Sequence, residues 1–211
     1  IAEIANGIEG MPAGVVNLVH GARDAVTAIL EHDGIDAVSF VGQASTARLV
    51  ASACVERGRR VQALGGAKNA LVVMPDADLK QAVPAIMGSS FGAAGQRCLA
   101  GSVCVVVGDD ERQAEVDAAL AAGAEALAVG DGADAGTDVC PLVDSAARER
   151  LVNAINAAEA GGAKLLVDGR GQDPGPAQTM LGPTIAEGED LESDLYREEL
   201  FGPPDHAPTR L

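Results

Sequence analysis

A cysteine in a glycine-flanked turn is the residue of this sequence best suited to act as a nucleophile. Cys98 directly follows Arg97, and Gly95 and Gly101 bracket both residues. The thiolate is the reactive form of cysteine, and a neighbouring cation favours it. The glycines leave the backbone free to form a tight turn, and Gln96 adds to its polar character. The segment therefore predicts a reactive thiol at Cys98, with Arg97 as the cation beside it.

The other residues capable of such chemistry fit structural roles. Cys54 lies in an alanine-rich helical pattern, Cys104 in an apolar strand pattern, and Cys140 before a proline in a loop. Free cysteines are most often small buried residues, and we expect these three to be so. No pair of cysteines has CxxC spacing, and the histidines are isolated, so no metal site is predicted. We expect the histidines on the surface or in loops; they are His20, His32 and His206.

Composition excludes several classes of function. The 211 residues carry a formal net charge of −16, which argues against nucleic-acid binding, since phosphate recognition needs basic patches. The four cysteines lack a disulfide pattern, and the sequence shows neither an apolar amino-terminal signal region nor an apolar run long enough to span a membrane. These observations predict a cytoplasmic protein of one large domain, or parts of two, without a membrane partner.

Short β-branched runs alternate with alanine-rich helical patterns, which predicts an α/β fold with largely parallel strands. Gly65-Gly66 marks the boundary between two subdomains, and Ser145 is expected to cap a helix that ends at Ala160. The segments 130–138 and 169–178 are expected to be loops. Strands are predicted over 15–19, 37–41, 61–64, 70–74, 102–107, 164–167 and 182–185, and helices over 23–31, 44–57, 76–87, 113–127 and 145–160.

Three segments in this order resemble the aldehyde dehydrogenase superfamily. They are Gly65-Gly66, the Cys98 turn, and Glu198-Glu199-Leu200-Phe201-Gly202-Pro203. The resemblance covers about residues 1–203, and within the superfamily it is greatest to the CoA-acylating methylmalonate-semialdehyde dehydrogenase branch. It implies part of a Rossmann-type NAD domain over 1–64, part of an α/β catalytic domain over 65–203, and a tail outside the family pattern over 204–211.

By this resemblance, Cys98 attacks an aldehyde, NAD accepts the hydride, and a thioester remains on the cysteine. Most members then hydrolyse the thioester with a glutamate before Leu-Gly-Gly, but Ala63 stands at that position. Water needs a base, whereas a thiol supplies thiolate near neutral pH, so the loss of this glutamate favours coenzyme A as acyl acceptor. Arg97 would bind the carboxylate of malonate or methylmalonate semialdehyde. The products would be acetyl-CoA or propionyl-CoA.

The resemblance also implies an NAD site. Gly42 would lie at a strand-to-helix turn facing the pyrophosphate, Glu199 would accept hydrogen bonds from the nicotinamide ribose, and Phe201 would lie beside the nicotinamide. The pyrophosphate pattern is incomplete, because Gln43 and Ala47 stand where the family has a hydroxyl residue and a second glycine. Two alternatives stay open: a hydrolytic NAD(P)-dependent aldehyde dehydrogenase whose base comes from elsewhere, or an inactive α/β remnant.

The two ends of the chain depart from the family pattern. The asparagine of the oxyanion hole and the lysine at the adenosine ribose would precede Ile1, so we expect little or no activity from these residues alone. After Pro203, two prolines without apolar alternation argue against a central strand, and we interpret the tail as a truncation or a frame change. The resemblance implies a small-molecule substrate and a homotetrameric parent enzyme, an assembly not expected of this fragment.

Overall fold

Helices and strands alternate along the chain in the computed structural model, which describes residues 1–188 and 192–210, the last six of them by their backbone only. The chain divides into two units, Ile1–Gly66 and Ala67–Leu211. The first holds α1 (Ala2–Asn6), α2 (Arg23–Glu31), β1 (Ala37–Val41), α3 (Ala44–Glu56) and β2 (Arg60–Leu64). The second holds β3 (Asn69–Val73), α4 (Leu79–Ser90), β4 (Gly101–Val106), α5 (Asp110–Glu125), α6 (Ser145–Ala160), β5 (Lys164–Val167), β6 (Thr184–Glu187), α7 (Asp194–Arg197) and β7 (Pro204–Arg210).

The first unit is built on one β-α-β element. Strands β1 and β2 pair in parallel, with Ala37 opposite Arg60 at one end and Val41 opposite Leu64 at the other. Helix α3 connects them and buries one face, whose residues recur at helical spacing. Within this unit, the described residues that are fully buried and hydrophobic are Ala47, Val50 and Cys54.

The strand expected over 15–19 is wrong. This segment has no regular secondary structure, and Val15, Leu18 and Val19 are exposed. The chain turns at Gly14, whose φ is 83°, and no strand among the described residues pairs with the segment that follows. An apolar run needs a neighbouring strand for its N–H and C=O groups, so the run alone was insufficient evidence.

The second unit contains a five-stranded sheet in the order β3-β4-β7-β6-β5. Its pairs are parallel except β5 with β6, which are antiparallel. Strand β4 is apolar almost throughout and lies inside the sheet, as its sequence predicted. Helices α4, α5 and α6 bury one face each against the core, which includes Phe91, Cys104, Leu120, Leu151 and Ile155.

The tail prediction is corrected by β7, which lies at the centre of the sheet between β4 and β6. Its two prolines occupy positions that a sheet tolerates. Pro204 is the first residue of the strand, and Pro208 falls at a register shift, between His206, which pairs with Val103, and Thr209, which pairs with Val105. A proline at a strand start or a bulge removes no ladder hydrogen bond.

Aspartates begin the three long helices of the second unit. Asp78, Asp109 and Asp144 accept hydrogen bonds from the first-turn backbone N–H groups of α4, α5 and α6. The cap of α6 is thus Asp144 and not Ser145, because Asp144 Oδ1 accepts from the Ala147 N–H at 2.7 Å. Within the part of the chain that the structure describes, no helix combines the length and the apolar character needed to cross a membrane.

Candidate active site

The Cys98 turn follows a left-handed stretch of backbone at the end of α4. Ala93, Ala94 and Gly95 have φ values of 53°, 52° and 67°. Residues 97–100 then form a reverse turn, closed by a hydrogen bond of 3.0 Å from the Ala100 N–H to the Arg97 carbonyl. Cys98 lies in the middle of this turn and is exposed. Its thiol is therefore open to a small reactant, as a nucleophile requires.

Gln96 anchors the start of this turn to the segment that precedes α6. Its Nε2 donates to the carbonyls of Pro141 at 3.2 Å and Ala93 at 3.3 Å. Its Oε1 accepts from the Val143 N–H at 2.9 Å. The carboxamide thus uses both its donor and its acceptor, and it fixes the backbone two residues before Cys98.

Arg97 lies against the carboxyl end of α4. Its Nη2 donates to the carbonyls of Gly88 at 2.6 Å and Ser89 at 2.7 Å, where helix carbonyls lack partners of their own. Nε and Nη1 have no partner among the residues that the structure describes. The side chain therefore supports the helix with one nitrogen and keeps two for another ligand.

Asn69, the first residue of β3, holds the other side of the turn. Its Nδ2 donates to the carbonyls of Cys98 and Ala100, both at 2.9 Å. Its backbone N–H donates to the Ser102 hydroxyl at 3.1 Å. The nucleophile candidate is thus tied to the second unit's sheet as well as to its helices.

The segment from Glu198 to Gly202 lies directly beside the Cys98 turn. A Cβ on Gly95 would stand 2.3 Å from the Gly202 carbonyl oxygen, so the two backbones are in close contact. Lys68 Nζ donates to the Glu198 carbonyl at 3.0 Å. The structure therefore brings Arg97, Glu199 and Phe201 to one small cleft, whose lining also includes Lys68, Asn69, Ala100 and Gly202. Cys98 does not line this cleft itself, but it lies in the turn between Arg97 and Ala100, which do.

Glu199 and Phe201 both face this cleft. Glu199 is half-buried, and its carboxylate has no hydrogen-bond or ion-pair partner among the side chains described in residues 1–188 and 192–204. Phe201 has a φ of 55°, unusual for a bulky residue, and 41% of it is exposed. An acceptor without a partner beside an exposed ring is a suitable lining for a polar ligand with a flat group.

Gly42 and Ala63 belong to the first unit. Gly42 follows β1 at the start of α3, but its own N–H donates to the Leu64 carbonyl at 3.1 Å and so serves the sheet. The ring of Phe40 lies where a Cβ on residue 42 would be, at 2.6 Å. Helix α3 has no side-chain cap. Ala63 is a half-buried residue of β2, opposite Phe40, and carries no group that could accept a proton.

Asn69, Gln96 and Lys68 were not assigned from the sequence. Each of these side chains donates hydrogen bonds to backbone carbonyls, and such contacts leave no pattern of side chains in the sequence. The available signal was a polar pair at the start of an otherwise apolar strand, Lys68-Asn69 before Ala70 to Val73. Among the described residues, no cluster of three potential ligands suits a metal ion.

Comparison with known proteins identifies relatives over nearly the whole chain. Residues 1–204 match the aldehyde dehydrogenase family. A malonate-semialdehyde dehydrogenase of Pseudomonas aeruginosa is 43% identical over 196 residues, which are 92% of this chain and 39% of that protein.

Solved structures agree in fold. A Sinorhizobium meliloti protein assigned as a methylmalonate-semialdehyde dehydrogenase, solved with NAD, is 39% identical with a TM-score of 0.89, over 96% of this chain and 42% of that one. Methylmalonate-semialdehyde dehydrogenase from Oceanimonas doudoroffii is 38% identical with a TM-score of 0.89, over 96% and 41%. The chain thus spans about two fifths of the length of these relatives.

Proposed function

Since this chain belongs to the aldehyde dehydrogenase family, we propose that it supplies the nucleophile of an NAD-dependent, CoA-acylating oxidation of malonate or methylmalonate semialdehyde. The observation that carries the proposal is the exposed, anchored Cys98 turn in contact with the segment that bears Glu199 and Phe201. The names of the relatives supply the substrate class. The activity would be that of a protein in which this chain is completed by the segments that its relatives have in addition.

Cys98 would carry the acyl group. Its thiolate attacks the aldehyde carbon and forms a C–S bond, which leaves a thiohemiacetal oxyanion on the former carbonyl oxygen. Glu199 and Phe201 would hold NAD, which would supply the acceptor for the hydride that leaves this carbon. The carbonyl then re-forms, and a thioester remains on Cys98. The fixed turn supports this role because a positioned nucleophile does not have to be ordered during the reaction.

Arg97 would select an acidic substrate. Nη2 is occupied by the carbonyls of Gly88 and Ser89, and Nε and Nη1 are left for a carboxylate. The charge is held one residue from the nucleophile, which suits a substrate whose carboxylate lies a short carbon chain away from its aldehyde. Malonate and methylmalonate semialdehyde have this arrangement.

The second unit has a lining that fits NAD in part. The unpartnered carboxylate of Glu199 would accept hydrogen bonds from ribose hydroxyls, and Phe201 would lie beside the nicotinamide ring. In the first unit, α3 begins without a side-chain cap after Gly42, so its first N–H groups would face phosphate. The Gly42 N–H itself would not, because Leu64 accepts it.

Ala63 supports coenzyme A as the acyl acceptor. An alanine cannot activate water, whose pKa is about 15.7, whereas a thiol with a pKa of about 8.5 needs far less help near neutral pH. The CoA thiolate would attack the thioester carbon, and Cys98 would leave as the thiolate. A malonyl-type acyl group would lose its carboxylate as carbon dioxide and take up a proton from water at the same carbon. The product would be acetyl-CoA, or propionyl-CoA from the methylated substrate.

A chimaera tests the proposal. Residues 1–203 replace the matching segment of the Pseudomonas aeruginosa malonate-semialdehyde dehydrogenase, which supplies the segments that lie outside this chain. We expect NADH formation from malonate semialdehyde that requires CoA, with acetyl-CoA as the product identified by mass spectrometry. Cys98→Ser should abolish detectable turnover, since a hydroxyl is a far weaker nucleophile at neutral pH. Cys140→Ser, also a cysteine of the second unit, is the matched control and should leave turnover unchanged.

Three results would contradict the proposal. NADH formation at an equal rate without CoA, with a free acid as product, would instead identify a hydrolytic aldehyde dehydrogenase. A folded chimaera whose NADH formation survives Cys98→Ser would exclude Cys98 as the nucleophile. A folded chimaera without any turnover would identify the chain as an inactive relative.

A further inference from the structure

We propose that Asn69 is a positioning residue for Cys98. The inference rests on the proposed function, since Cys98 is the nucleophile there, but it is carried by a separate observation. A single side-chain nitrogen, Nδ2 of Asn69, donates to the carbonyls of Cys98 and Ala100, each at 2.9 Å. These two carbonyls flank Leu99, so one amide spans the second half of the nucleophile turn.

The contact requires a hydrogen-bond donor at residue 69, because both partners are carbonyl oxygens. Nδ2 carries two N–H groups, and each carbonyl takes one, so the donor capacity is fully used. Asn69 itself is held by β3, by its N–H bond to the Ser102 hydroxyl and by pairing with Gly101 across the sheet. The backbone of Asn69 is thus held by the sheet, independently of its contact with the turn.

The consequence concerns where the thiol can point. Leu99 is 88% exposed and gives the turn no apolar anchor, and the turn's own closing bond joins only Arg97 and Ala100. Without Asn69, the peptide between Cys98 and Leu99 could rotate while that closing bond persists. Asn69 therefore fixes the Cys98 peptide plane and the ψ angle of Cys98, on which the allowed rotamers of the thiol depend.

Selective labelling isolates this peptide in the 211-residue chain. Of the four cysteines, Cys98 alone precedes a leucine, so carbonyl-¹³C cysteine with ¹⁵N-leucine gives a single HNCO signal. The carbonyl carbon of Cys98 shifts upfield when it loses a hydrogen bond. Exchange of the buried Ala100 N–H with deuterium reports opening of the turn as a second, independent readout.

Asn69→Asp removes the hydrogen-bond donor and keeps the shape of the side chain, because Nδ2 is replaced by an oxygen that faces the two carbonyl oxygens. We expect an upfield shift of the Cys98 carbonyl and about tenfold faster exchange at Ala100, since two hydrogen bonds are lost. Asn69→Ala should give a smaller effect, because it adds no repulsion. Asn153→Asp makes the same chemical change on the exposed face of α6 and should alter neither signal.

Wild-type values of both signals in folded Asn69→Asp would overturn the inference. If that variant does not fold, Asn69→Ala decides, because it removes both donors and adds no charge. An upfield shift of the Cys98 carbonyl then supports the inference, and an unchanged signal refutes it. Neither readout requires turnover, so a chimaera without NADH formation would refute the proposed function and leave Asn69 as the residue that fixes this turn.

Discussion

The Arg97 guanidinium combines a structural contact with a proposed binding role. Its Nη2 satisfies two carbonyls at the end of α4, while Nε and Nη1 have no partner among the described residues. Replacement of Arg97 would therefore weaken both the helix end and the binding of an acidic substrate. The position beside Cys98 was evident from sequence, but the contact with α4 was not, because it depends on the direction in which the turn projects the side chain.

The raised pKa of Asp117 predicts how the stability of the protein depends on pH. Asp117 is half-buried on α5, and its pKa is raised, first by burial and then by the nearby Glu187 carboxylate, against the lowering effect of its hydrogen bond from Gln113. A folded pKa above the unfolded value means that the folded state binds the proton more tightly. Stability is thus lost as the pH rises through the folded pKa.

Asp117→Asn should therefore raise the urea midpoint at pH 7, since it removes the charge and keeps the oxygen that accepts from Gln113. The gain should vanish as the pH falls below about 4, where the unfolded aspartate is also protonated. Asp76→Asn, at an exposed position, is the control and should show neither effect. An equal midpoint for Asp117→Asn and the wild type at pH 7 would contradict the assignment.

At the scale of elements, the contact between Gly95 and Gly202 joins the end of α4 to the segment before β7. A Cβ on Gly95 would lie 2.3 Å from the Gly202 carbonyl oxygen and 2.9 Å from that of Ser90, and backbone atoms of this kind cannot yield easily. The φ of 67° adds the cost of left-handed backbone for a residue with a Cβ.

We predict that Gly95→Ala costs more than about 3 kcal/mol in the free energy of unfolding, measured by urea denaturation. Gly175→Ala is a matched control, because its φ is 68° and its nearest neighbour atom would be an ordinary 3.6 Å away. It should cost only about 1 kcal/mol, the price of the backbone conformation. Similar costs for the two variants would mean that the close contact with Gly202 is not rigid.

Element positions were largely predictable where local patterns are strong. The helix over Arg23–Glu31 and the strand over Ala37–Val41 match their predicted bounds. Cys54 and Cys104 are buried as expected, whereas Cys140 is only half-buried. The segment 15–19 was mispredicted because its apolar residues resemble a strand but find no partner. The anchors of the Cys98 turn could not be predicted, because they join residues far apart in sequence through backbone carbonyls.

For the whole molecule, the position of β7 has the largest consequence for stability. It pairs with β4 on one side and with β6 on the other, so its removal would divide the sheet into two pairs, β3-β4 and β5-β6, each with a newly unpaired edge. A chain that ends at Pro203 should therefore lose cooperative urea unfolding of the second unit. A chain that ends at Arg210 is the control and should retain it. A sharp transition with an unchanged midpoint after truncation at Pro203 would show that the sheet does not need β7.

The two units differ in how much they bury. The second unit has an extended core around its sheet, whereas three hydrophobic residues are fully buried in the described first unit. The expected division near Gly65-Gly66 remains a prediction for the parent enzyme's domains. In this chain, the difference in burial implies that amide exchange is slowest in the strands of the second unit.

The strand order also determines when each strand of the second unit can find its partner during synthesis of the chain. Strand β7 is the last of the five to leave the ribosome, yet it lies in the middle, and Val103 of β4 must wait about 100 residues for its partner His206. Until then, the inner edge of β4 is open to strands of other chains, and the inner edge of β6 is open as soon as β6 has been made. Nascent chains are thus exposed to misassembly while the residues between β4 and β7 are synthesised, and a chaperone that covers strand edges would be most useful before residue 204 has appeared.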